Sequence, residues 1–499
     1  MRLALTLAVL CGLAAPAAAA DLSTQVRAWR AAHEAQVVGQ LADFAAIPSV
    51  AADPAGLQAQ ADRLQDELKR RGFDARQLSA GAGAPPVVFG ALAIPRARRT
   101  VVFYAHYDGQ PVTPSQWRSD PFKPVMRQGL SGPDVDWRGA KPPYDPEWRL
   151  FGRAASDDKS PIVAFLAAFD ALQASGRRPS VNLKVVWEGE EERNSPHLET
   201  ILKQNQALLA ADLWLIGDGP LHQSRTRTIY FGARGNAGLE ATLYGPLRAL
   251  HSGHYGNWAP NPAALAAQLI TDLRDPQGRI RIPGFADDVR AVTAAERQAI
   301  AGLPPVDEAL RRELAFGRAE SDEGLTLSTM RPALNVTALR AGDAGRAIPA
   351  EAMVSFDFRL VPDETPERVQ AKTEAYLAGL GWTVVHTDPD AAVRLASAKL
   401  VKLDWTGGYP ALRSDMTTPA ARAVVAAASR AGGGPVAVLP MMGGSVPIHL
   451  FADIFQVPVI GLPIVNHDNN QHAANENARL QNLWDGIETY AGLMADLSW

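Results

Sequence analysis

At 499 residues the chain is longer than one hydrophobic core usually serves, so two domains are the starting expectation. Hydrophobic residues make up 47% and charged residues 20%, the balance of a folded globular protein. With 49 Lys and Arg against 53 Asp and Glu the net charge is a mild −4, and no basic tract stands out, which argues against nucleic acid or anionic membrane as partners.

Residues 1–20 open with Arg2, run through a Leu/Ala/Val-rich stretch and end in Pro16 and four alanines. A charged start, an apolar middle and a small-residue end read as a secretory signal cleaved after Ala20. That reading makes the protein an exported bacterial one, periplasmic or secreted, with no membrane contact after cleavage; a buried N-terminal helix is the other reading. The single cysteine, Cys11, falls inside this segment, so any metal site in the remainder must use His, Asp and Glu.

Helical spacing of apolar residues follows over 23–46 and 55–71, with Gly72 closing the second stretch. Residues 100–105 are a continuous β-prone apolar run, as in a strand covered on both faces, and similar runs recur at 181–187, 213–216 and 457–460. Helical stretches at 161–174 and 196–209 alternate with them, which predicts an α/β layered domain with a mostly parallel central sheet. The middle differs: strands at 228–231, 239–244, 336–339, 353–360 and 383–386, helices at 262–273 and 365–380, and a helical excursion over 287–318 suggest a smaller α+β unit. A helix at 417–431 and the strand at 457 resume the first pattern. The reading is a discontinuous catalytic domain, 21–230 and 409–499, with a lid or dimerisation domain, 231–408, inserted; two domains in tandem is the alternative.

Ligands bind at the carboxyl ends of parallel strands, and ionisable residues stand at those ends one strand after another. The first run leads into His106-Tyr107-Asp108, where residues two apart face the same way and Asp108 can hold the His106 ring. Alone, a buried histidine at a strand end is more often a satisfied core residue, and His106 reads that way first. Ser156-Asp157-Asp158-Lys159 opens a helix, where aspartates also serve as caps. The run Glu188-Gly189-Glu190-Glu191-Glu192 follows a buried strand; its carboxylates would repel one another in a crevice unless cations neutralise them, a solvated acidic loop being the other reading. Asp218 ends the strand at 213–216, and His472 precedes a helix near the C-terminus. Two histidines and at least three carboxylates suit Zn²⁺ without thiolate, and paired ions about 3.5–4 Å apart need a bridging carboxylate.

The order and wording of these motifs resemble the M20 family of metallopeptidases, in particular its dipeptidase branch, which includes the cytosolic nonspecific dipeptidases and carnosinases. The resemblance implies two Zn²⁺ per chain, with Co²⁺ or Mn²⁺ as substitutes, held by His106, Asp157, Glu192, Asp218 and His472, Asp157 bridging. It further implies Glu191 as general base activating a metal-bridged water and Asp108 as the partner of His106. His251, in Leu250-His251-Ser252-Gly253-His254, resembles the lid histidine that reaches into the partner subunit's site of a homodimer. Asn335, Arg359, Gly444 and Ser445 resemble residues that meet substrate, Arg359 by its fork facing a carboxylate.

The implied function is hydrolysis of the amide bond of dipeptides or short peptides. Relatives tend to carry a glutamate where this chain has Met442, just before Gly443-Gly444-Ser445. That leaves open an N-acyl amino acid amidohydrolase or carboxypeptidase-like enzyme of the same fold; a non-catalytic periplasmic binding module is the alternative of another class.

Overall fold

The computed structural model describes residues 21–342 and 345–499. Helix Leu22–Ala45 starts where the Asp21 carboxylate accepts from Thr24 N–H, and Pro54–Arg70 starts at Asp53 with Pro54 in its first turn. Lys69 and Arg70 occupy the last turn of the second helix, and Gly72 follows it at φ +83°, a conformation that glycine adopts without a Cβ clash.

An eight-stranded sheet runs in the order Asp74–Leu78, Val87–Leu92, Asn182–Glu188, Thr100–His106, Leu213–Ile216, Val459–Gly461, Thr228–Tyr230, Ala437–Leu439. Its four central strands, Asn182–Glu188 through Val459–Gly461, are mutually parallel, while Val87–Leu92 pairs antiparallel with both of its neighbours. Alternation along the Thr100–His106 strand divides its side chains between two cores. Val101, Phe103 and Ala105 face helices Lys159–Ala174 and Leu480–Asp496, and Val102 and Tyr104 face the side of Leu198–Gln204 and His449–Phe455. Burial on both faces explains why this strand reads as an unbroken apolar run.

A second sheet is built from the middle of the chain, in the order Ala333–Ala341, Glu351–Leu360, Gly235–Tyr244, Leu400–Tyr409, Thr383–Val385. All its pairs are antiparallel except Thr383–Val385 with Leu400–Tyr409. Alternate residues over 235–243 and in Glu351–Leu360 are buried, and their apolar side chains meet Leu269, Leu273, Val369 and Leu377 of helices Pro262–Leu273 and Pro366–Gly379 in a separate core.

Three local expectations change. The strand read at 228–231 with the smaller unit, Thr228–Tyr230, lies in the large sheet. The single helix over 196–209 is two, Leu198–Gln204 and Gln206–Leu209. The stretch between 125 and 151 forms three strands, Val125–Gln128, Asp134–Val135 and Trp148–Phe151, which join Asn477–Arg479 in a four-stranded sheet. This sheet brings the chain entering Asp157 alongside the chain leaving His472. The segment read as a signal, 1–20, lies outside the described residues; among the described residues no helix is long and apolar enough to cross a membrane.

Candidate metal centre

The Thr100–His106 strand ends in His106, and its parallel neighbour Leu213–Ile216 leads through Gly217 to Asp218. On the other side, Glu188 pairs in register with His106 and launches the short turn Glu191–Arg193. Asp157 lies just before helix Lys159–Ala174. The aspartate pair is not a cap: Asp158 makes no side-chain capping bond, and its carboxylate accepts from His106 N–H at 3.3 Å. His472 stands in a loop at φ +63°, separated from helix Leu480–Asp496 by the Asn477–Arg479 strand.

These loops bring five predicted residues into two groups. His106, Asp157 and Asp218 offer ligand atoms within 4.8 Å of one another, and so do Asp157, Glu192 and His472. Asp157 is common to both, its Oδ1 3.2 Å from His106 Nε2 and its Oδ2 3.1 Å from His472 Nε2. Glu192 Oε2 lies 3.3 Å from the same His472 nitrogen. Asp157 Oδ2 is buried and accepts no well-aligned hydrogen bond despite that neighbour. A carboxylate with one oxygen toward each histidine, in a donor set of nitrogen and oxygen alone, fits a pair of divalent cations.

Electrostatics point the same way. Burial and the charge of Asp157 push the Asp218 carboxyl up to about 6 and that of Glu192 up to about 8. Burial also raises Glu191, opposed by His106 and reinforced by Asp218, Glu192 and Asp157. The Asp157 carboxyl is held well below the usual carboxylate range, since the His106 and His472 rings outweigh its burial. His472 is pushed up to about 9, chiefly by Asp157. Protons thus stand in for positive charge that a cation would supply.

Asp108 lies beside His106 and also reaches the glutamate run. Its Oδ1 lies 3.3 Å from His106 Nδ1, and its two oxygens also accept from the backbone N–H groups of Glu191 and Glu192, each at 3.1 Å. Glu191 belongs to neither ligand group; its Oε2 is 4.0 Å from His106 Nε2. Glu190 turns away and accepts from the His197 N–H at 2.9 Å.

Of the remaining candidates, Asn335 and Arg359 meet on Asp357, whose Oδ2 accepts from Asn335 Nδ2 at 3.2 Å and from Arg359 Nε at 2.8 Å. Arg359 also donates to Ser445 Oγ at 2.8 Å, which joins the second sheet to the Gly443-Gly444-Ser445 loop. Gly444 O accepts from Arg234 N–H at 3.1 Å. His251 is exposed and stands apart: its Nδ1 accepts from Gly253 N–H at 3.1 Å and its ring faces His254 at 4.5 Å. Among the described residues no hydrogen bond or ion pair joins it to the five ligand candidates.

Sequence reasoning missed Gln110, which donates to Glu192 Oε2 at 2.7 Å, as well as Arg234, Asp357 and Glu476. Gln110 sits two residues beyond Asp108, so strand-end proximity could have flagged it; the others have no local signal.

A model of peptidase family M20/M25/M40 matches residues 102–496. The chain belongs to this family. Relatives include a Cys-Gly metallodipeptidase of Schizosaccharomyces pombe, 26% identical over 93% of this chain and 96% of that protein, and the Beta-Ala-His dipeptidase of Rattus norvegicus, 25% identical over 93% and 94%. Among solved structures, an M20 family metallo-carboxypeptidase from Sulfolobus solfataricus aligns with a TM-score of 0.75 at 26% identity, covering 92% of this chain and 99% of that one. Human carnosine dipeptidase 1 shares the fold, with a TM-score of 0.77 at 22% identity over 96% and 99%. The M20 chain is accordingly a metal-dependent hydrolase acting on peptide bonds, of the dipeptidase branch.

One expectation is corrected by these relatives. The enzymes that match over 93% of this chain come from fission yeast and rat, which are not bacteria, so the likeness carries no bacterial export and the exported, periplasmic or secreted reading is withdrawn.

Proposed function

We propose that this M20 enzyme hydrolyses dipeptides or short peptides with two zinc ions, for which cobalt or manganese can substitute. The observation that carries the reading is Asp157, shared by two three-residue groups with one carboxylate oxygen toward each histidine. One ion would be held by His106, Asp157 and Asp218, the other by Asp157, Glu192 and His472. In this reading 21–230 and 409–499 form the catalytic domain, and 231–408 form the lid through which two chains pair.

Bound zinc supplies Lewis acidity, lowering the pKa of water and drawing charge from a carbonyl oxygen. Glu191, outside both ligand groups, takes the proton of the attacking water and returns it to the leaving nitrogen. Asp108 keeps the His106 ring and the Glu191 and Glu192 backbone in register. The Arg359 fork, held by Asp357 and Ser445, meets the substrate carboxylate together with Asn335 and the Gly444 backbone. His251, exposed and remote from its own chain's site, reaches the partner's substrate carbonyl.

The test combines metal analysis with a panel of Cys-Gly, β-Ala-His and their N-acetylated forms, assayed before and after chelation. The expected result is about two ions per chain, and hydrolysis of the unblocked dipeptides that disappears with chelator and returns with Zn²⁺. Cleavage restricted to the N-blocked substrates would overturn the dipeptidase assignment, and chelator-resistant hydrolysis would overturn the metal assignment.

A further inference from the structure

The two ligand groups are built by different means. His106 and Asp218 leave neighbouring parallel strands, joined by the ladder that pairs Tyr104 with Ile216, so backbone hydrogen bonds fix their separation. His472 has no such support, since it lies on a loop outside the large sheet, and its partner Asp157 lies on another loop. Something else must set the 3.1 Å between them.

The geometry points to Glu476 as the positioning residue that assembles the Asp157–Glu192–His472 group, an inference that rests on the two-metal reading above. Glu476 is fully buried, four residues beyond His472, and its carboxylate is wrapped by the loop that carries Asp157. Oε1 accepts from Ser156 N–H at 3.0 Å, Ser156 Oγ at 2.8 Å and Asp157 N–H at 3.0 Å. Oε2 accepts from Ala154 N–H at 2.9 Å and from the Arg153 guanidinium at 2.8 Å. Arg153 also donates to Ala473 O at 3.2 Å, and Gly152 N–H donates to Glu476 O at 3.1 Å, so both loops are closed into one ring.

Five donors on one buried carboxylate satisfy it completely without a metal, which separates Glu476 from the ligand candidates. Its side chain does for this half of the site what strand pairing does for the other. Exchanging one oxygen for an amide sets an N–H against the backbone N–H groups that now point at it. The two loops must then part.

Stepwise Zn²⁺ titration of the metal-free full-length protein against a chromophoric chelator tests this, with the step lost in His472→Ala marking the loop-built group. In Glu476→Gln the affinity of that step should fall about 10- to 100-fold while the other step changes little. Equal losses in both steps, or a lowered Tm of the metal-free protein with both steps intact, would overturn the inference. Should Glu476→Gln fail to fold, Ser156→Ala decides: removing one hydroxyl donor should weaken the same step selectively, and an unchanged pair of steps counts against the proposal. A wild-type protein that binds fewer than two ions overturns the two-metal reading itself, an outcome read before any variant.

Discussion

His106 and Asp218 are buried at the ends of adjacent strands, whereas the His472 side chain is 56% exposed on a loop and Glu192 sits in a short turn. Both pairs share Asp157, yet one inherits its geometry from a sheet and the other from side-chain tethers: Asp108 on the Glu192 backbone, Gln110 on its carboxylate and Glu476 on the loop of Asp157. Elements held by a buried ladder open rarely, while loops held by a few polar contacts open at much lower cost. A metal site can therefore be rigid on one side and adjustable on the other, with the adjustable histidine turned to solvent.

The largest effect should come from the residue beside both halves without belonging to either. Glu191→Gln is expected to lower kcat by about 10²- to 10⁴-fold while metal content stays unchanged, checked by steady-state kinetics alongside metal analysis. Loss of metal in that variant would mean that Glu191 is a ligand and the division between halves is drawn wrongly.

Acidity separates the halves next. In the metal-free chain Glu192 keeps its proton below about 8 and His472 below about 9, so both protons must leave when the loop-built group takes a cation. In the sheet-built group Asp218 has already ionised above about 6, and His106 is the one other proton carrier, lowered by burial but raised further by Asp108 and Asp157. Each displaced proton makes affinity rise about tenfold per pH unit, so between about pH 6 and 8 affinity climbs more steeply in the loop-built group, with two protons to lose, than in the sheet-built one, where His106 offers one at most. Competitive zinc binding across that range measures it; parallel slopes would contradict the assignment of these groups.

Stability should divide them as well. His106→Ala leaves Asp108 and Asp157 buried without their shared cationic partner, an expected cost of about 3 kcal/mol to the metal-free protein. His472→Ala, at a half-exposed position where solvent screens its pairing with Asp157 and Glu192, should cost less, about 1 kcal/mol. Urea denaturation after chelation distinguishes them, and equal losses would mean that the histidine loop is as much a part of the fold as the sheet.

The same contrast governs what could be read from the sequence. Strand-end residues were legible because a strand buried on both faces is an unbroken apolar run, and His106, Asp218 and the glutamate run interrupt such runs abruptly. Leu400–Tyr409 was missed because its apolar and polar residues alternate before Gly407 and Gly408, and those glycines, taken as a joint, end a strand: Gly408 pairs with Ala237 in the second sheet. Asp74–Leu78 and Val87–Leu92 were missed too, the first carrying three polar residues in five. Glu476 carries no local signal of its role, because all its side-chain partners lie more than 300 residues earlier in the chain. Local pattern reports which face is buried; it cannot report which distant loop a buried carboxylate will hold.

Gln110 gives the finest comparison, because it acts on the loop-built half through one amide nitrogen, which also donates to Glu192 O at 3.4 Å. Its amide donates to Glu192 Oε2 at 2.7 Å, the oxygen that also faces His472, so it fixes which way that carboxylate turns without carrying charge or filling a core position. Gln110→Ala should weaken the loop-built metal step by about tenfold, the lower end for an outer partner of a metal ligand. It should leave the His106–Asp218 step and the stability of the metal-free protein nearly unchanged. Gln110→Glu replaces the donor with a second carboxylate against Glu192, and because a bound cation relieves the repulsion that the metal-free site then carries, its loop-built step should weaken less than that of Gln110→Ala. Zinc titration of the two variants side by side reads the difference: an alanine variant indistinguishable from wild type would show that Asp108 and Glu476 alone orient this half.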